Sequence, residues 1–376
     1  MERSEIDNWH MQRALALAAK GRGAVEPNPM VGCIIARGAE IVGEGYHSRF
    51  GEAHAEIEAL RLAGDRARGA TMYVTLEPCC HHGKTPPCTE AIIQAGIRRV
   101  VAAMQDPFPK VDGGGIARLQ AAEIETEVGL LESQAVALNA PYLKLCREKR
   151  PWMIAKWAMT LDGKIASYTG RSRWVSNEQS RAMVHKLRGR VDGIMVGSGT
   201  ALADDPLLTA RPEGLRRAVR IVVDSRARLS LDSQLVKTAK EWPVLLAVGE
   251  DAPPDKCAAL MEAGVEILRC PGETHDKRLL YLLDELGNRR MTNVLVEGGS
   301  ALLGNLFDLD QIDEVHAFVA PKIIGGREGF TPVGGRGRES MDRAIQLADI
   351  RIEKVGNDVY LTARVKRKGL AINPTT

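Results

Sequence analysis

The sequence predicts an α/β protein in two domains, on three observations. Its 376 residues exceed what one compact core usually needs, strand-like apolar runs alternate with helix-like stretches, and a charged run interrupts that alternation. The interruption is Arg147-Glu148-Lys149-Arg150 before Pro151, after which the pattern restarts with Trp152 to Ala158. Domains 1–150 and 151–376 follow.

In the first segment, periodicity predicts a helix from Trp9 to Lys20, strands at Met30 to Ala36 and Glu40 to Gly45, and a helix from Ala53 towards Leu62. A short strand follows at Thr71 to Leu76, then a polar loop bearing cysteines, a helix from Thr89 to Ala95 and a strand from Arg99 to Met104. The stretch Asp106 to Gly115, rich in Pro and Gly, reads as a loop, and Leu130 to Arg147 as a helix broken at Pro141. The second segment offers strands at Gly193 to Val196, Val219 to Val223, Val244 to Val248, Val265 to Leu268, Asn293 to Val296 and Glu314 to Val319. Helix patterns lie between several of these, which favours a mainly parallel sheet. One such helix runs from Ser176-Asn177-Glu178 to Leu187, with Ser or Asn as its cap.

Composition narrows the function classes. With 44% hydrophobic and 26% charged residues and a net charge of +3, the chain is of the globular class, neither disordered nor fibrous. The apolar runs are far shorter than the ~18 residues a membrane span requires, and MERSEIDNWH lacks a signal-peptide core, so the expected location is the cytoplasm. Seven cysteines, odd in number and unevenly spread, point to reduced thiols. Cys79, Cys80 and Cys88 cluster, whereas Cys33, Cys146, Cys257 and Cys270 are scattered in ordinary surroundings. The small net charge and 4% aromatic content argue against an extensive nucleic-acid groove. A basic cluster, Arg216-Arg217 with Arg220, is better explained as a solvated loop.

The chemistry-bearing pattern lies in the first segment. His54-Ala55-Glu56 stands at a helix start, and Glu77-Pro78-Cys79 with Cys88 stands where a strand passes through a loop into a helix. One imidazole and two thiolates meet the three-ligand count of a catalytic zinc, whose fourth position holds water acidified towards hydroxide. A carboxylate that is not a ligand must then move protons, and Glu56 is placed to do so. H-x-E followed by P-C-x-x-C is the general signature of zinc deaminases acting on nucleobases. This chain departs from it, with eight residues between Cys79 and Cys88. The alternative is a closed structural zinc knot recruiting Cys80, His81 or His82, with Cys80 as fourth ligand the specific risk. A zinc-stabilised interaction module is the corresponding non-enzymatic reading.

Pro27-Asn28-Pro29-Met30-Val31-Gly32, His54-Ala55-Glu56 and Glu77-Pro78-Cys79 through Gly83-x-Thr85-Pro86-Pro87-Cys88 together resemble the bifunctional riboflavin-biosynthesis deaminase-reductases, which share the long thiol spacing. In the second segment, Lys156 to Lys164, Gly199-Thr200 with Asp204 to Thr209, and Val296-Glu297-Gly298-Gly299 resemble the reductase half of the same family. No G-x-G-x-x-G occurs in the chain, so a standard Rossmann site is unsupported. The glycine turns at Gly197-Ser198-Gly199 and Gly298-Gly299 are alternative places for a phosphate at a helix start.

The resemblance implies a cytidine-deaminase-like three-layer α/β/α domain followed by a dihydrofolate-reductase-like α/β domain. It implies zinc-dependent hydrolytic deamination of a phosphoribosylamino-diaminopyrimidinone, then reduction of the ribosyl group to ribityl by NADPH. Small-molecule substrates and a homo-oligomer go with it; nucleic acid and membrane do not. Zinc would be held by His54, Cys79 and Cys88, with Glu56 catalytic, and Asn28, His47 and Lys84 are candidates for substrate contact. Cofactor would meet Ala158, Trp174, Thr200, Asp204, Ser225 and the turn Gly299, Ser300, Ala301, Leu302, Leu303, Gly304 and Asn305. Substrate would meet Ser172, Arg188, Leu208, Arg211 and Glu297, the two arginines as forked donors to a phosphate monoester. Read without the family, each of these arginines could equally be a solvated surface residue, Trp174 a core aromatic, and Glu297 a strand-end acid. No general acid stands out in the second segment.

Overall fold

A computed structural model describes residues 2–82, 86–326 and 329–366. The chain divides into two compact units, one running to Glu148 and the other beginning at Lys149.

Unit 1 is built on five strands: β1 (Gly32–Arg37), β2 (Glu40–Tyr46), β3 (Thr71–Val74), β4 (Arg99–Ala102) and β5 (Glu125–Val128), in the order β2-β1-β3-β4-β5. The β1–β2 and β1–β3 pairs are antiparallel and the β3–β4 and β4–β5 pairs parallel. Side-chain alternation divides the core between the two faces. Cys33, Ile35, Met72, Val74, Val100 and Ala102 pack with the helix Ala55–Ala63, while Ile34, Ala36, Tyr73, Val101 and Ala103 pack with the helix Arg3–Ala18. This is the expected three-layer α/β/α arrangement.

The first helix starts at Arg3, earlier than the apolar period suggests. It is anchored by a buried network in which Arg99 donates to both Asp7 oxygens at 3.0 and 2.8 Å and Tyr73 to Asp7 at 2.6 Å. The helix expected from Leu130 to Arg147 is two helices, Glu132–Leu138 and Ala140–Glu148, and the break falls at Asn139 and not at Pro141. Proline in the first turn of the second helix has no amide hydrogen to lose there. Asn139 uses its side chain to clasp Met30, accepting from its N–H at 2.8 Å and donating to its C=O at 3.0 Å.

Unit 2 holds nine strands: β6 (Trp152–Thr160), β7 (Gly193–Gly197), β8 (Val219–Val223), β9 (Val244–Val248), β10 (Glu266–Arg269), β11 (Asn293–Val296), β12 (Glu314–Ala320), β13 (Leu347–Val355) and β14 (Asp358–Val365). Their order is β10-β9-β8-β7-β11-β6-β12-β14-β13. Pairing is parallel from β10 to β12 and antiparallel through β14 and β13. Ile154, Val196, Val222, Leu246 and Leu295 face one core; Met153, Met195, Ile221, Leu245 and Val294 face the other. Arg220 corrects the solvated-loop expectation. It is fully buried in β8, donating to the carbonyls of Leu207 at 3.2 Å and Leu235 at 3.3 Å, and Arg216 pairs with Asp192 at 2.5 Å.

Candidate active sites

Three donor atoms converge in unit 1. The helix Ala55–Ala63 lies hard against β2, where a Cβ on Gly45 would come within 2.5 Å of the Ala55 carbonyl, so the lack of a side chain permits the approach. His54 is the N-cap of that helix, and Cys88 opens the helix Cys88–Gln94. His54 Nδ1 stands 3.2 Å from Cys88 Sγ and 3.6 Å from Cys79 Sγ, and the three ligand atoms lie within 4.8 Å of one another. A tetrahedral zinc with bonds of about 2.0 to 2.3 Å spaces its ligand atoms at roughly 3.5 Å, so the donor set fits that metal.

The Cys88 N–H donates to Cys79 Sγ at 3.3 Å. Hydrogen bonds from Cys88 and His54 outweigh burial and hold the Cys79 thiol down at about 4, the thiolate form that metal binding requires. Glu56 is buried in the first turn, where desolvation pushes its carboxyl up against the opposing charge of His54.

The closed-knot reading fails on geometry. Cys80 Sγ is turned to the Lys110 carbonyl at 3.7 Å, His81 packs beside Phe108, and His82 lies 4.0 Å from Glu90. Among the described residues the donor cluster contains His54, Cys79 and Cys88 alone. His47 and Asn28 join the neighbourhood: their side chains are 3.2 Å apart, and the His47 ring centroid is 5.6 Å from that of His54. Lys84 lies outside the described residues.

Sequence reading missed Glu77, which is buried two residues before Cys79. Its carboxylate accepts from the N–H groups of Asp106 (3.1 Å), Gly113 (3.1 Å), Gly115 (2.8 Å) and Ile116 (3.0 Å). It thereby gathers the loop after β4 and the start of the helix Gly114–Ala121 against the cysteine segment. Glu77→Gln replaces one acceptor oxygen by a donor and strands two amides. Urea unfolding is expected to show unit 1 less stable by about 1 to 3 kcal/mol.

In unit 2 the candidate residues gather at the carboxyl ends of β6, β7 and β11, where parallel sheets commonly hold ligands. One cavity of about 420 Å³ is lined by Lys156, Ala158, Trp174, His185, Arg211 and Glu297 among others. A second, of about 460 Å³, adds Leu207 and Leu208, and a third, of about 410 Å³, is walled by Gly197 to Thr200, His275, Ser300 to Leu302 and Asn305. The cis-linked Gly298-Gly299 turn leads into the helix Ser300–Asp308, and Gly298 takes φ +105°, which favours glycine. Gly299 as N-cap has no side chain to occupy the first amides, which remain available to a phosphate. This cradle beside Thr200 fits a nicotinamide dinucleotide.

Glu297 is the electrostatic centre. Arg188 donates to it from Nε at 2.5 Å and Nη2 at 2.9 Å, and Lys156 Nζ stands 3.6 Å away. Burial works to raise the Glu297 carboxyl, but the charges of Arg188 and Lys156 outweigh it and hold it at about 2. Arg188 also donates from Nη1 to the Thr209 carbonyl at 3.2 Å, so three of its five N–H groups are engaged within the protein, and the residue lines the first two cavities. Arg211 makes no hydrogen bond or ion pair among the described residues.

Ser172 donates to Asp204 at 3.2 Å, and Leu208 is buried with φ +54°. Trp174 is no core aromatic: it is 64% exposed, with the Arg181 guanidinium 4.4 Å from its ring centroid. Leu303 borders the first cavity. Two expected cofactor residues stand back from the cavity walls. Gly304 packs on Gly334, where a Cβ would come within 2.2 Å of its backbone, and the Ser225 carbonyl accepts from the Gly249 N–H at 3.0 Å. Lys156 received no role from the sequence, although a lysine inside an otherwise apolar strand is the signal that marks it.

Residues 4–104 match the cytidine and deoxycytidylate deaminase zinc-binding region, and residues 151–361 match the RibD C-terminal domain. The chain is 42% identical to the riboflavin biosynthesis protein RibD of Actinobacillus pleuropneumoniae, covering 94% of this chain and 93% of that protein. It is 40% identical to the protein of the same name from Escherichia coli K12, over 94% and 98% of the two. Acinetobacter baumannii RibD superposes with a TM-score of 0.84 at 32% identity, covering 97% of this chain and 100% of that one. A Thermotoga maritima structure described as a diaminohydroxyphosphoribosylaminopyrimidine deaminase/5-amino-6-(5-phosphoribosylamino)uracil reductase does so with 0.83 at 34%, over 97% and 100%.

Proposed function

Because this chain belongs to the RibD family of bifunctional riboflavin-biosynthesis enzymes, we propose that the sites just described perform the family's two reactions with the residues named there. The enzyme deaminates 2,5-diamino-6-(5-phosphoribosylamino)pyrimidin-4(3H)-one and reduces the ribosyl group of the product to ribityl. The observation that carries the reading is the convergence of His54, Cys79 and Cys88 beside the buried Glu56. We assign deamination to residues 1–150 and reduction to residues 151–376, an assignment supported by the two family matches.

Zinc, when held by His54, Cys79 and Cys88, supplies the Lewis acid that makes water nucleophilic at neutral pH. Glu56 takes a proton from the attacking water and returns it to the ring amine, which leaves as ammonia. Its burial favours the protonated form between these two transfers. Asn28 and His47, hydrogen-bonded to each other, form the wall that orients the pyrimidine.

NADPH supplies the hydride of the second reaction. Ala158, Thr200, Asp204 and Gly299 to Leu303 with Asn305 hold the cofactor, and Trp174 borders it; Ser225 and Gly304 support the cradle from behind. Ser172, Arg188, Leu208, Arg211 and Glu297 surround the sugar phosphate, with Arg211 as the cation that has no protein partner among the described residues. Lys156, kept beside Glu297, protonates the ring oxygen as the sugar opens, and Arg188 both holds Glu297 in place and turns its remaining N–H groups to the substrate.

The test is ammonia release followed by NADPH oxidation on purified protein carrying about one zinc per chain. Zinc without ammonia release would sink the deaminase assignment. We further place the enzyme in the cytoplasm, supported by seven cysteines without a disulfide. As a homo-oligomer it would use β13, an edge strand with Ile350 56% and Ile352 68% exposed. Ile352→Lys is therefore expected to raise the monomer fraction in sedimentation velocity; an unchanged distribution would remove β13 from the interface.

A further inference from the structure

The substrate cavity of unit 2 is rich in cations, but few of them are available. Arg188 spends three of its five N–H groups on Glu297 and the Thr209 carbonyl, and Lys156 faces Glu297. Arg181 donates to the Ser176 carbonyl at 2.7 Å and covers the Trp174 ring, while Arg173 donates to the Asp204 carbonyl at 2.6 Å. Among these cations Arg211 alone makes no hydrogen bond or ion pair among the described residues, and one exposed guanidinium beside the partly engaged Arg188 leaves a doubly charged phosphate monoester short of donors.

His185 supplies a further donor. It lies one turn before Arg188 on the helix Glu178–Arg188 and lines the same cavity as Arg211. Its Nδ1 is 3.2 Å from the Thr209 carbonyl. A carbonyl can only accept, so Nδ1 carries the hydrogen and the neutral ring presents a lone pair at Nε2. Among the described residues that Nε2 makes no hydrogen bond, and it is not among the buried unsatisfied atoms, so it is accessible on a residue that lines the cavity. Thr209 receives Arg188 and His185 together, which fixes the chain two residues before Arg211.

We propose that His185 is a phosphate-binding residue of the reductase site, becoming an imidazolium that donates from Nε2 to the substrate's phosphate beside Arg211. The proposal rests on the substrate reading given above. The groups facing the ring are Arg188 from its own helix, Arg211 from the following loop and Glu297 from the end of β11. In the free protein, burial and then the two arginines hold His185 below the ordinary histidine range and so neutral. A phosphate dianion reverses that balance, and its binding is accompanied by uptake of a proton.

Ribose 5-phosphate is the probe, titrated into the full chain at pH 7.5 by calorimetry in two buffers of different ionisation enthalpy. Ring nitrogen shifts are read in parallel, with the His185 signal assigned by its absence in His185→Gln. NADPH binding serves as the fold control for each variant. The expected result is proton uptake and an imidazolium shift in the wild type. In His185→Gln both are absent and the probe binds about tenfold more weakly; in Arg211→Ala its binding is also impaired. Binding that requires Arg211 but is unchanged in His185→Gln, without proton uptake, overturns the role of His185 and leaves the substrate reading standing. Failure of the wild type to bind the probe at all removes both.

Discussion

Glu56→Gln is expected to lower ammonia release by about 10²- to 10⁴-fold, the range associated with losing a positioned acid–base group. NADPH oxidation on supplied deaminated intermediate should be unchanged. Glutamine keeps the volume of the buried side chain, and burial of a neutral amide in place of a carboxyl that is already pushed towards its neutral form should disturb packing little. Zinc content, measured by elemental analysis, should stay at the wild-type level because Glu56 is outside the donor set. Loss of both activities in a folded, zinc-loaded variant would contradict two independent sites.

Glu297→Ala has the other large effect. It strips the counter-charge from Arg188 and Lys156 in a site where the Glu297 side chain is only 6% exposed. Removing one partner of a buried ion pair typically costs about 3 to 5 kcal/mol, and unit 2 should unfold at correspondingly lower denaturant, with reductase activity lost. The same charge arrangement gives a pH signature. The Glu297 carboxyl sits at about 2 in the folded protein against an ordinary 4.5, so its contribution is full above 4.5 and is lost as pH falls from there towards 2. Denaturation midpoints of the wild type should fall across that window, and those of Glu297→Gln should fall less. Parallel curves for the two proteins would show that Glu297 is not the group concerned.

Much of this molecule is readable in its residues. The zinc donors announce themselves because metal geometry restricts both residue type and spacing, and the alternation of Ile34 and Ile35 or Met153 and Ile154 between two cores marks buried strands. β5 and β13 escape such reading because Glu125-Thr126-Glu127-Val128 and much of Leu347–Val355 face solvent on a sheet edge, and β14, inside the sheet, escapes because polar residues interrupt its apolar ones. Glu77 and Asn139 escape for another reason: their partners are backbone groups 29 to 39 and 109 positions away. No local pattern encodes a carboxylate that collects amides from a distant loop. Arg188 shows what side-chain chemistry alone leaves out: a guanidinium suited to phosphate also pairs with the carboxylate of Glu297, more than a hundred positions away.

The strand orders of the two sheets carry a consequence for how the chain acquires its structure during synthesis. In unit 1 every strand pairs with neighbours made shortly before or after it, so this sheet can assemble once Val128 has emerged. In unit 2 the first strand made, β6, ends between β11 and β12, which are made late. Its apolar edges must wait while most of the unit is translated, and such non-local parallel pairing is slow. The amino-terminal half should therefore reach its native fold first, and nascent chains stopped between β6 and β11 should be the ones that depend most on chaperones.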